Sequence, residues 1–156
     1  MVISPLDENH AFRGRFRRPI LVCMACTILG ELFLLLVFGV WLFPTGSLLS
    51  KTFWTIAFCG TGMGLVAGAT IGVLVVPRYN GLKAIAATVG IFVCILGIGR
   101  NLLCFSIDRH LNHFGAIEQP LLWLSSGILL SIIGGVVAGA FLFTDWGCRL
   151  LDGLRV

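Results

Sequence analysis

Leu121 to Phe143 reads LLWLSSGILLSIIGGVVAGAFLF, an apolar run without a single charged side chain. Crossing a bilayer takes about 20 mostly apolar residues at 1.5 Å rise each, so this run is long enough. Three more of the same kind lie upstream, at Ile20 to Phe43, Phe53 to Val76 and Ala84 to Phe105. In hydrocarbon only helices and closed barrels satisfy every backbone N–H and C=O internally. The runs are continuous rather than alternating, which makes them helices. The expected fold is all-α, a polytopic membrane protein with a bundle of four transmembrane helices.

Composition agrees. Only 12% of the residues are charged, against about 25% in a soluble domain, and the mean hydropathy is +1.02. Four spans fill most of the 156 residues, so residues 1–156 read as one membrane domain with short connections. The first run is too long for a signal-peptide core and is not followed by a small-x-small cleavage signature, so it reads as a retained anchor.

Orientation follows from basic residues in the short flanking segments. Arg13, Arg15, Arg17 and Arg18 precede the first run, Arg78 and Lys83 separate the second from the third, and Arg149 and Arg155 follow the fourth. Only Lys51 and Arg109 fall on the opposite side, and Arg100 lies inside the third run. Both termini are therefore expected to be cytoplasmic, in an inner or plasma membrane. Trp41, Trp54, Trp123 and Trp146 stand at run ends, where an indole favours the headgroup level. The net charge of +4 is explained by this asymmetry without nucleic acid. Lipids are expected partners of the spans; topology alone explains Arg13 to Arg18, with attraction to anionic headgroups, at about 1 kcal/mol per residue, as the alternative reading.

The second run carries Gly60, Gly64, Gly68 and Gly72 at steps of four, a glycine zipper. Such a face lets a neighbouring backbone approach closely, and van der Waals contact then drives association in lipid. The fourth run offers a second small face in Gly127, Ser131, Gly135 and Gly139. A third lies in Gly90, Cys94, Gly97, Asn101 and Cys104. Packing within the chain accounts for two such faces, and the third is expected to meet another subunit.

Polar residues inside the spans are the other candidates, since an ionisable group at mid-membrane costs about 2.5 to 3.5 kcal/mol on insertion scales. Glu31 lies mid-way along the first run, on a face with Cys23 and Thr27. Arg100, beside Asn101, lies toward the outer end of the third. Counted from the cytoplasmic ends, Glu31 and Arg100 differ by about 7 to 8 Å in depth. Three arrangements remain open: an ion pair joining the two helices, Arg100 snorkelling outward over a protonated Glu31, or Glu31 as a proton or cation site.

No catalytic constellation, cofactor motif or metal site emerges, and the chain reads as a non-enzyme. Cys23 and Cys26 form a C-x-x-C, but on this topology they sit at the cytoplasmic end, where thiols stay reduced. His110 and His113 lack further ligands to complete a metal shell. The Gly-rich helices, the buried carboxylate and the basic turn Val76 to Gly81 are similar in kind to those of the rotor proteolipids of rotary ATPases. In that family, however, the carboxylate lies on the helix after the polar loop, where this chain has Arg100, so no family is assigned. Two functions lead, ahead of a third in which the chain is an enzyme with a buried lipid-like substrate near Glu31 or a thiol reaction at Cys23 and Cys26. One is an accessory or assembly subunit packed by its helices against other transmembrane subunits in a hetero-oligomer. The other is a small homo-oligomeric ion, proton or solute transporter using Glu31 and Arg100.

Overall fold

The computed structural model describes residues 5–42, 55–111 and 120–153. The connections at 43–54 and 112–119, with Lys51, Trp54 and His113, lie outside the described residues, as does Arg155. Among the described residues the chain is all-helical, with no strand. We number the helices α1 (Pro5–Leu42), α2 (residues 55–74), α3 (residues 81–111), α4 (Pro120–Phe143) and α5 (Asp145–Gly153). Gly81–His110 within α3 and Pro120–Phe143 are long and apolar enough to cross a membrane by length and composition.

The helices extend beyond the apolar runs in two places. α1 begins at Pro5 rather than at the first apolar residue, passing through Pro19, which supplies no backbone N–H to the ladder. α3 runs on past Phe105, so Asp108, Arg109 and His110 are helical rather than loop, and Asp108 is buried. The basic turn between α2 and α3 fits its sequence. Val75 and Val76 both donate to Ile71 O, Pro77 blocks helix continuation, and Gly81 opens α3 at φ +55, the left-handed region where glycine is unstrained.

Both α2 and α3 contain π-helical stretches, Thr55–Gly62 and Val93–Gly99, each ending on a glycine. Their role follows from the spacing of buried residues, which is four in every long helix. The buried rows are Pro19, Cys23, Thr27 and Glu31 in α1, and Gly60, Gly64, Gly68 and Gly72 in α2. In α3 the row is Ala84, Thr88, Phe92, Leu96, Arg100, Cys104 and Asp108, and in α4 it is Trp123, Gly127, Ser131, Gly135 and Gly139. An α-helix turns about 100° per residue, so each step of four overshoots a full turn by about 40°. A π-helix, closed by i→i+5 bonds, holds roughly 4.4 residues per turn, so the same step falls short by about 33°. Val93–Gly99 thus rotates the row back and keeps Arg100, Cys104 and Asp108 on the side of α3 that Ala84 and Thr88 occupy.

α1 packs most closely on α2, and α3 on α4, with α4 also against α1. Chain direction reverses within each pair. Along α2 the neighbours of Gly60, Gly64 and Gly68 are Ile28, then Met24, then Ile20, and along α4 those of Gly127, Gly135 and Gly139 are Asn101, Val89 and Ile85. The core holds Cys23, Ala67, Ile71, Ala84, Phe92 and Ala138, all almost fully buried. A single residue, Thr144, separates α4 from α5. Thr144 caps it, donating to Ala140 O at 2.6 Å and accepting from Gly147 N at 3.2 Å. Gly147 and Leu151 turn its apolar side inward, and Arg18 pairs with Asp152 at the surface.

Candidate functional site: a buried ion pair between three helices

Arg100 follows directly on the π-helical stretch, and Glu31 belongs to the buried row of α1. Their side chains meet, with Arg100 Nη1 3.1 Å from Glu31 Oε1 and only 3% and 6% of the two side chains exposed. The depth difference read from the sequence is bridged, and Arg100 does not snorkel outward: its guanidinium lies inside, 5.2 Å from the ring centroid of Trp123. That distance is within reach of a cation–π contact, which is strongest when desolvated. Trp123 is itself fully buried and packs against the arginine. Three helices therefore converge on one guanidinium.

The flanking residues make room by size. A Cβ on Gly127 would sit 2.5 Å from Asn101 Nδ2, and one on Gly97 would sit 2.8 Å from Ser131 Oγ. Asn101 of α3 thus fits over Gly127 of α4, and Ser131 of α4 over Gly97 of α3. Asn101 donates through Nδ2 to Gly97 O, and Ser131 donates to Ile128 O at 2.8 Å. Across the other interface Thr27 Oγ1 is 2.6 Å from Gly60 O, an interhelical bond joining α1 to α2. Glu31 Oε2 and Asn101 Oδ1 are buried without a hydrogen-bond partner.

The predicted packing residues occupy these same interfaces. Gly64 has no room for a side chain, since a Cβ there would lie 2.8 Å from Met24 Cα, and one on Gly68 would lie 2.5 Å from Ile20 Cα. Gly60 is looser, at 3.3 Å from Ile28, and Gly72 is buried. On α4, Gly135 and Gly139 press on Val89 and Ile85, at 2.8 and 3.1 Å between their built Cβ atoms and the opposing Cα. The third small face divides. Gly97, Asn101 and Cys104 point inward, whereas Gly90 and Cys94 are exposed and nothing lies within 4 Å of a Cβ built on Gly90.

Cys23 is buried and Cys26 half-buried, and both are free thiols. Among the described residues no three metal-ligating side chains gather in one place. Sequence reasoning missed the contact between Trp123 and Arg100. The signal was available, because Trp123 continues the row of Gly127, Ser131, Gly135 and Gly139 back by one step of four. The chain matches no protein-family model, and comparison with curated proteins and with solved structures returns no match.

Proposed function

We propose that the chain is an integral membrane protein whose four helices span the bilayer with both termini cytoplasmic, and that it serves as an accessory or assembly subunit of a larger membrane complex. Lipid as the solvent is supported by the apolar windows of α3 and α4, of which only 28% and 33% is buried. Leu36, Leu102, Leu121 and Leu129 are among the apolar side chains left facing outward. The Gly60 to Gly72 row then acts as a glycine zipper within the chain, against α1.

The observation that carries the subunit reading is the small-residue row left over once the chain has packed itself. Ala86, Gly90 and Cys94 follow one another at steps of four on the exposed side of α3. Small residues at this spacing let two helices approach in lipid, and no other part of the described chain covers them. Transport has one observation in its favour, the small cavity beside Glu31. Against it, that cavity is about 30 Å³, and the charge of Glu31 is matched by Arg100.

Copurification from native membranes, followed by mass spectrometry, tests the reading. Wild-type protein should bring down a transmembrane partner in fixed ratio, and Gly90→Leu should lose that partner while keeping its own helical content. A partner retained by Gly90→Leu would remove this face from the interface, and recovery of the chain alone or only with itself would contradict the subunit role.

A further inference from the structure

The cavity of about 30 Å³ among α1, α3 and α4 is bordered by Thr27, Glu31, Arg100, Ser131 and Phe92. The rest of its lining is apolar or small, Leu96, Leu130 and Gly134 among it. Glu31 Oε2 is a buried acceptor without a hydrogen-bond partner, on a residue only 5% exposed. The hydroxyl proton of Ser131 is directed at Ile128 O, and that of Thr27 at carbonyls of Cys23, Met24 and Gly60, so both oxygens have only lone pairs to offer the cavity. Thr27 and Ser131 thus join Glu31 as acceptors around this space, and the Arg100 guanidinium that also borders it is held at Glu31 Oε1.

A cation does not fit this arrangement, because Arg100 already neutralises the Glu31 carboxylate at 3.1 Å and a second positive charge would be unbalanced in a low-dielectric interior. The volume of about 30 Å³ suits water. A water needs about 10 to 15 Å³ of such volume and two or more polar partners, so the space admits roughly two molecules. We infer that this cavity is a water site, in which one or two molecules donate to Glu31 Oε2 and bridge it to Thr27 Oγ1 or Ser131 Oγ. The site ends there. The water completes the carboxylate's hydrogen bonds, so the inference holds whichever partner the protein takes.

A crystal structure of the full chain in a lipid mesophase, at a resolution that shows other internal waters, tests it directly. The expected result is an ordered oxygen within 2.6 to 3.2 Å, the ordinary hydrogen-bond range, of Glu31 Oε2 and of at least one of the two hydroxyls. Crystals pressurised with xenon add a second reading, because xenon enters dry apolar cavities: no xenon should appear here. A xenon peak in the cavity, featureless density beside Oε2, or a protein donor bonded to Oε2 would each overturn the proposal.

Discussion

Arg100 Nη1 reaches Glu31 Oε1 at 3.1 Å, tying α3 to α1 at a point that neither helix leaves open to solvent. Removing one member of such a pair strands the other as a buried charge, at a cost of about 3 to 5 kcal/mol, whereas replacing both is often close to neutral. Arg100→Leu should therefore destabilise strongly, and Glu31→Leu in the same chain should restore part of the loss. Denaturant unfolding of the four members of the double-mutant cycle in one detergent measures this, with additive losses as the contrary result.

Trp123 closes the other side of the guanidinium. Trp123→Phe keeps an aromatic face at 5.2 Å but shrinks the ring, and it should cost about 1 kcal/mol, while Trp123→Leu should cost more because it removes the cation–π contact as well. The Trp123→Leu loss should shrink in an Arg100→Leu background, and the same unfolding assay detects this.

Gly64 and Gly68 lie where a neighbouring backbone takes the place of a side chain. Gly64→Leu and Gly68→Leu should each prevent α1 from docking, beyond the 1 to 3 kcal/mol typical of overpacking, because the opposing atoms are main chain and cannot turn aside. Val75 lies off the glycine row but is no neutral control, being 1% exposed. Val73, 50% exposed, is the proper one. Size-exclusion profiles in mild detergent should show the glycine variants aggregated or unfolded, with Val73→Leu unchanged.

Topology is read from the basic asymmetry. Single cysteines returned to a cysteine-free chain should label from outside at Ser47 and Asn112 and stay protected at Ser4 and Asn80. Outside labelling at Asn80 would reverse the orientation.

How much of this was legible in the sequence depends on which residues are asked. The rows of four in α1, α2 and α4 could be read directly, because glycine and small polar residues mark them, and the all-helical class followed from run length. The Glu31 and Arg100 pairing could not be decided. A count at uniform α-helical rise leaves them apart in depth, and nothing in the composition of Val93–Gly99 announces a wider turn. The same blindness placed Gly90 and Cys94 on a face with Gly97 and Asn101, although the structure turns the two pairs to opposite sides. The helix Asp145–Gly153 was not legible, because it is short and is held by Thr144 and Gly147, residues with no apolar periodicity of their own.

Glu31→Gln tests most directly whether the buried carboxylate is structural. The amide keeps the shape and the acceptor oxygen but cannot titrate in the physiological range, so it separates hydrogen bonding from proton carriage. The protein should purify folded and assembled, with an unfolding midpoint far nearer to wild type than that of Glu31→Leu. Reconstituted in proteoliposomes, wild type and Glu31→Gln should show the same background proton and ion flux. A folded, fully assembled Glu31→Gln protein that abolishes a flux carried by the wild type would contradict the structural role and make Glu31 the transport site.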